Sequence, residues 1–264
     1  MQKLLVVKIG GNIIDNAAAL DSFLASLAAI EGNKILVHGG GKLATELSAK
    51  LNIPTQMVDG RRITDAETVK VVTMTYAGWI NKTIVAQLQA KGCIALGLSG
   101  ADAKLIPAVK RPVKDVDYGW VGDIESKNVN ATFLKTMLIS GITPTVAPIS
   151  CDNEGHLLNI NADTVARTLA EAMSADYEVT LTYCFEKNGL LMDINDDDSV
   201  IGEIDLANVE ALKASGVISQ GMVPKIDNAL GAIANGVHTV VIGHANNIKL
   251  IADHVAGFGT YIKA

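Results

Sequence analysis

The chain has 264 residues, enough for one large domain or two intimate lobes, and with 49% of them apolar it can bury a sizeable core. Its net charge of −6, without a basic run, excludes a broad nucleic-acid surface but leaves room for a local cationic cluster that takes an anionic substrate. No apolar run approaches the roughly 18 residues of a membrane span, and the amino terminus lacks a secretory pattern. Cys93, Cys151 and Cys184 are scattered, with no CxxC and no histidine at metal spacing, so reduced thiols in a cytoplasmic protein without a protein-held metal are expected.

Leu4-Leu5-Val6-Val7 reads as a strand buried on both faces of a parallel sheet, and it runs into Lys8, Gly10 and Gly11. Open α/β sheets bind ligands beyond the carboxyl ends of their strands. Lys8 therefore stands where a ligand would be, and Gly10-Gly11 let backbone N–H groups approach an anion. Helical spacing covers Ala17 to Ile30, and a second strand, Lys34 to Val37, ends in His38-Gly39-Gly40-Gly41 ahead of a helix from Lys42 to Leu51. Strand, glycine run and helix in succession suit an anion at a helix amino terminus. The run matches neither a dinucleotide fingerprint nor a P-loop.

Arg61 and Arg62 precede a long helix over Ala66 to Lys91, with Thr64 and Glu67 spaced as a capping box. Arg62 is placed to clamp a carboxylate in a fork. Ile94 to Leu98 is a strand, and the charged, proline-bearing stretch from Asp102 to Asn130 reads as irregular structure or a small hairpin excursion. Phe133 to Ser140 reads as a helix and Ile142 to Ile149 as a strand. Asn159, Asn161 and Asp163 alternate along an extended segment and would share one face before the helix Thr164 to Met173. Asp163 also suits an N-cap. A strand from Glu178 to Leu181 opens into a loop from Tyr183 to Leu191, followed by an acidic turn. Ala207 to Ser215 is a helix ending at Gly216. Lys225 opens the helix Ile226 to Asn235, where the helix dipole disfavours a cation, so an anion is expected opposite it. Thr239 to Ile242, Asn247 to Val255 and Gly259 to Ile262 complete the chain as strand, helix and strand.

Two lysines from opposite ends of the chain, an aspartate placed to hold them, a triple-glycine loop and an arginine point to phosphoryl transfer. That reaction asks for charge neutralisation and in-line positioning rather than covalent work by the protein. Glycine N–H groups would stabilise charge on the phosphoryl oxygens. No general base is evident, which fits an acceptor that is already an anion, such as a carboxylate.

In their order and spacing, Lys8-Ile-Gly-Gly, His38-Gly-Gly-Gly, Asp59-Gly-Arg-Arg-Ile-Thr, Ser99-Gly, Val121-Gly-Asp, Asn159-Ile-Asn-Ala-Asp163 and Gly221-Met-Val-Pro-Lys225 resemble the amino-acid kinase family, from Leu4 to Ile262. The resemblance implies an α/β fold, a three-layer α/β/α sandwich with an open, mainly parallel central sheet. It implies a single domain over 1–264, with an acyl-amino-acid lobe over 1–175 and an ATP lobe over 176–264. The reaction implied is ATP-dependent phosphorylation of the γ-carboxylate of N-acetyl-L-glutamate, the second step of arginine biosynthesis, with Mg2+ held mainly by the phosphates. Lys8 and Lys225 would stabilise the transition state, Asp163 would orient them, and Gly10 and Gly11 would face phosphate. Gly40, Gly41, Arg62 and Asn159 would bind the acyl-amino-acid. Tyr183, Gly189, Leu190, Leu191, Val217, Ile218, Ser219 and Met222 would bind the nucleotide.

Two departures from the family pattern stand out. The nucleotide loop usually reads Thr/Ser-Asp-Val-x-Gly, whereas here Thr182-Tyr183-Cys184-Phe185 precedes Gly189 with one extra residue. Arg61 stands where leucine is common, which raises N-succinyl-L-glutamate as an alternative acceptor. A silent acyl-amino-acid binding protein is the alternative of another class. Arginine-inhibited family members carry an additional amino-terminal helix. This chain begins with its first strand, so the resemblance implies a homodimer insensitive to arginine and paired through Ala66 to Lys91.

Overall fold

The computed structural model describes residues 1–263 apart from 59, 194, 197–198, 206, 216, 219–221 and 256. Gly216, expected as a helix terminator, and Ser219, expected at the nucleotide, lie outside the described residues.

β1 (Gln2–Ile9) leads through a short α1 (Gly11–Ile14) to α2 (Ala17–Ala28), whose first amides are capped by the side chain of Asn16. β2 (Asn33–His38) runs into α3 (Gly41–Lys50), then a small hairpin of β3 (Met57–Val58) and β4 (Arg61–Arg62). The long helix is a rod of three parts: α4 (Ala66–Thr73), a π-helical segment Met74–Ile80, and α5 (Asn81–Ala90). A 3.6-residue periodicity does not register the wider π turn, which is set by what packs against it. Nor is the expected capping box present. Asp65 caps α4, its carboxylate accepting from Thr68 N–H at 2.7 Å, while Glu67 pairs with Lys70.

β5 (Ala95–Ser99) is followed by the hairpin excursion, built as β6 (Ala108–Lys110) and β7 (Gly122–Ile124). After α6 (Ala131–Ile139), the strand expected over 142–149 divides at Pro148. β8 (Thr143–Ala147) joins the main sheet, and β9 (Ile149–Cys151) turns away to pair with β10 (Leu157–Asn159). Then come α7 (Ala162–Met173), β11 (Tyr177–Phe185), β12 (Glu203–Ile204), α8 (Val209–Ala214), α9 (Val223–Ala234), β13 (Thr239–His244), α10 (Ile248–Ala252) and β14 (Thr260–Ile262).

The central sheet has eight strands in the order β12-β14-β13-β11-β1-β2-β8-β5. From β13 to β5 all neighbours are parallel, and β14 is antiparallel to β13. Alternate side chains of β1 face opposite sides of the sheet. Leu4 and Val6 enter one core with Leu134, Val165, Leu169 and Ile226 from α6, α7 and α9. Leu5, Val7 and Ile9 enter the other with Phe23, Leu24, Ile80 and Ile84 from α2 and the long rod. The result is a three-layer α/β/α sandwich, and β1 at its centre delivers Lys8 to the carboxyl edge.

Candidate active site

Lys8 leaves β1 between Tyr183 of β11 and Val37 of β2, its neighbours in register. Its Nζ lies 2.8 Å from Asp163 Oδ1. Asp163 is free to take that role because it is not the cap of α7. Asn161 caps the helix, its Oδ1 accepting from the N–H groups of Asp163 (2.9 Å) and Thr164 (3.1 Å). The three polar residues of this segment therefore divide their work. Asn161 caps, Asp163 holds Lys8, and Asn159 donates from Nδ2 to the buried Thr64 hydroxyl at 3.1 Å.

Lys225 sits in the first turn of α9 with Nζ 3.9 Å from the centroid of the Phe185 ring, a cation–π contact. Burial pushes its pKa below the ordinary lysine value, and the charge of Lys8 pushes the same way, while Asp163 pulls it back up. Asp163 thus orients Lys8 directly and acts on Lys225 through its field. Cys184 flanks the same space, its thiol pushed up to about 12 by burial, which outweighs the opposing pull of Lys8.

Cavities lie at and beside these groups. The larger, of about 950 Å³, is lined by Lys8, Gly10, Gly11 and Lys225 together with Phe185, Gly189, Leu190, Leu191, Val217 and Met222. Of the residues expected at the nucleotide, Tyr183 and Ile218 are not in this lining. β11 extends beyond the expected strand to Phe185, so Tyr183 is a strand residue whose hydroxyl reaches back to the Asp163 carbonyl at 3.4 Å. Ile218 is buried in the core with Val209 and Ile226. Gly189 is held close to β14: a Cβ there would stand 2.7 Å from the Thr260 hydroxyl.

The smaller cavity, of about 190 Å³, is lined by Gly40, Gly41, Arg62 and Asn159, and also by Arg61, Tyr76 and Arg111. Arg62 is buried. Its guanidinium donates to the Gly41 carbonyl (2.9 Å) and to the hydroxyls of Thr45 (2.8 Å) and Thr55 (3.1 Å). These bonds use three of the five guanidinium N–H donors, and the Tyr76 hydroxyl also lies against the guanidinium. Tyr76 projects from the π-helical segment, and Arg111 comes from the β6–β7 hairpin, where it pairs with Asp123. Neither was singled out by sequence, since an aromatic in a helix and an arginine in an irregular stretch carry no spacing signal. A third cavity, of about 850 Å³, borders Asp163, Lys225, Asn161 and Arg61.

Away from all three, Asp152, Glu154 and His156 gather at the β9–β10 turn with potential ligand atoms within 4.8 Å of one another. The sequence spacing did not predict this exposed cluster, which the turn itself creates.

The pattern of the amino acid kinase family matches residues 3–244. The chain belongs to the amino acid kinase family. Within the family it is 55% identical over 248 residues to the acetylglutamate kinase of Bacteroides thetaiotaomicron, covering 94% of this chain and 96% of that one. It is 53% identical to the acetylglutamate kinase of Cytophaga hutchinsonii over the full length of both chains, 100% of each. Among solved structures, the N-acetylglutamate synthase of Neisseria gonorrhoeae, complexed with coenzyme A and N-acetyl-glutamate, superposes with a TM-score of 0.80 at 20% identity, covering 99% of this chain and 59% of that one. The carbamate kinase of Giardia lamblia bound to AMP-PNP superposes with a TM-score of 0.70 at 14% identity, covering 100% and 99%. At these identities the likeness is one of fold, and it is the sandwich of the amino acid kinase family.

Proposed function

We propose that the chain is an ATP-dependent kinase that phosphorylates the γ-carboxylate of N-acetyl-L-glutamate, releasing ADP and an acyl phosphate in amino-acid biosynthesis. One observation carries the reading: Lys8 in the wall of the larger cavity is paired to Asp163, which directly follows residues in the wall of the smaller one. Lys8 lines the larger with Gly10, Gly11 and Lys225, and the helix bearing Asp163 lends Asn161 and Ala162 to the smaller. A nucleotide in the first and an acyl-amino-acid in the second would meet at the lysine. The relatives described above bear this activity in their names.

In this reading Lys8 and Lys225 neutralise the charge that spreads over the transferred phosphoryl, and Asp163 keeps Lys8 in place through the reaction. Gly10 and Gly11 bring backbone N–H groups to the phosphate. Arg62 offers its guanidinium charge and remaining N–H to the α-carboxylate of the acceptor, beside Gly40, Gly41 and Asn159. The γ-carboxylate attacks as an anion, so no side chain has to remove a proton. Mg2+ would shield the phosphate charge. Among the described residues the carboxylates lining the larger cavity are Glu186 and Asp193, with Asp163 committed to Lys8, a donor set that fits a metal carried mainly by the phosphates.

The same proposal assigns the acyl-amino-acid to a lobe over 1–175 and ATP to a lobe over 176–264, with Lys8, Gly10 and Gly11 reaching across. It includes a cytoplasmic homodimer paired along the rod of α4 and α5. Exposed Met74 (52%) and Trp79 (71%) on the rod, with Ile94 (58%) and Leu96 (41%) at the edge strand β5, support that pairing. No helix among the described residues is long and apolar enough to cross a membrane. Arg61 is exposed at the mouth of the smaller cavity. The succinyl alternative draws no support from relatives named for the acetyl substrate, and a silent binder would have no use for two lysines at one cavity.

The deciding experiment is a coupled ADP-release assay with MgATP, offering N-acetyl- and N-succinyl-L-glutamate separately. Turnover of the acetyl substrate that Lys225→Ala abolishes is the expected outcome. No turnover, or a clear preference for the succinyl compound, would sink this reading.

A further inference from the structure

We infer that His38 is a positioning residue for the acceptor loop: its neutral ring, set by Asn81 and Lys82, aims the Gly40 N–H into the smaller cavity. This rests on the reading of that cavity as the acyl-amino-acid site. The donor and acceptor roles follow one from the next. The Lys82 ammonium has only donors, and its Nζ lies 3.2 Å from Asn81 Oδ1 and 2.9 Å from the Gly97 carbonyl. Asn81 Nδ2 is thereby turned inward, where it donates to the Thr145 carbonyl (2.9 Å) and meets His38 Nε2 at 3.0 Å. An amide NH2 has no lone pair to offer, so Nε2 accepts and the ring proton resides on Nδ1. The Nδ1–H donates to the Gly39 carbonyl at 2.9 Å.

In a trans peptide the carbonyl and the following N–H point in opposite directions. Fixing the Gly39 carbonyl toward His38 therefore fixes the Gly40 N–H away from it, on the side of the cavity that Gly39, Gly40 and Gly41 line. The preceding peptide is held too, since Gly39 N–H donates to the Ile9 carbonyl at 3.1 Å. Gly97 makes room for the relay: a Cβ there would stand 2.0 Å from Asn81 Oδ1 and 2.8 Å from Lys82 Nζ. His38 and Asn81 are fully buried, whereas Lys82 is exposed beside the edge strand β5. Burial moves the imidazole down to about 4, so the ring stays neutral at ordinary working pH.

The test begins with the wild-type protein. A long-range 1H–15N spectrum at pH 7 is expected to show His38 as the Nδ1–H tautomer. The Nε2–H tautomer or an imidazolium would overturn the inference. Steady-state kinetics follow with His38→Phe, which removes both bonds, and His38→Asn, whose amide still donates to Gly39 from nearly the position of Nδ1. His38→Phe is expected to raise KM for N-acetyl-L-glutamate roughly tenfold, the worth of one or two hydrogen bonds, with KM for ATP within about twofold. His38→Asn should recover most of that rise. Equal changes in both constants, or no recovery, would overturn the positioning role. Should His38→Phe not fold, Lys82→Met at an exposed position takes its place, with a rise of about threefold in the acyl-glutamate KM alone. An unchanged constant would then count against the relay. Absence of any wild-type turnover would instead strike the functional reading, while the spectrum, which needs no turnover, still judges the hydrogen bonds.

Discussion

Replacing Gly40 by alanine tests how the acceptor loop is held. Gly40 has φ +144°, a conformation that side-chain-bearing residues rarely adopt. An added methyl would stand 2.2 Å from Ile80 Cδ1 and 3.3 and 3.4 Å from two Tyr76 ring carbons. Carbon atoms rest about 3.5–4.0 Å apart, so the Ile80 contact is an overlap of well over 1 Å. Ile80 is 1% exposed and has no open space to swing into. The backbone term is about 1–3 kcal/mol and overpacking adds about 1–3 kcal/mol, so Gly40→Ala should destabilise by ~2–6 kcal/mol. Ile80→Val deletes Cδ1 alone and should cost about 0.5–1.5 kcal/mol by itself. If the clash is real, the double variant falls short of the sum by about 1–3 kcal/mol, the overpacking share. Urea midpoints at constant m for the four proteins give the coupling. Additivity within about 0.5 kcal/mol would refute the steric reasoning and leave the backbone conformation as the whole cause.

Three further outcomes are expected. His38 has a folded pKa of about 4 against the ordinary 6.5. Because the folded value is depressed, its contribution is complete above pH 6.5 and is lost as pH falls toward 4, by at most ~3 kcal/mol. Urea midpoints across that window should fall less steeply for His38→Phe, and parallel curves would contradict the shift. Asp163→Asn removes the partner of Lys8 and should lower kcat about 100-fold, with little change in either KM; an unaltered kcat would remove Asp163 from the mechanism. The alkaline limb of kcat/KM for ATP should lie below the ordinary lysine value of 10.5, because in the ligand-free protein burial and Lys8 disfavour the charged form of Lys225. Asp163→Asn should move that limb lower still, since Asp163 is the group that raises it, and a limb moving upward would reverse the assignment.

The sheet was legible because its strands carry continuous apolar runs; Lys8 and the glycine run stood out because each ends such a run with a costly residue, and Arg62 because it stands just ahead of a helix start. Caps were less so. Thr64 and Glu67 have the right spacing, yet Asp65 takes the N-cap because Thr64 is drawn into the interior by Arg62 and Asn159. Asp163 looked like a cap for the same local reason, and Asn161 displaces it by two residues. Both errors arise where a distant partner decides which of two neighbouring polar residues turns outward. Tyr76 and Arg111 were beyond reach because they join the site from a π turn and a hairpin, whose placement is tertiary. The change at Tyr183 proved to lie in a strand, with Cys184 and Phe185 rather than Tyr183 facing the larger cavity.

The central place of β1 has a consequence for synthesis. It leaves the ribosome before both of its neighbours, and its β2 edge can be satisfied early, since Leu4 aligns with Asn33. Its other edge waits for β11, where Leu4 aligns with Val179. At about 5–20 residues per second that edge lies open for roughly 10–35 seconds. During this interval the nascent chain displays an apolar strand with unpaired amides, the kind of surface that invites wrong pairing. Slowing translation just before β11 should therefore favour aggregation, whereas a permuted chain beginning at β11 would bring Val179 and Leu4 together after about half as many residues.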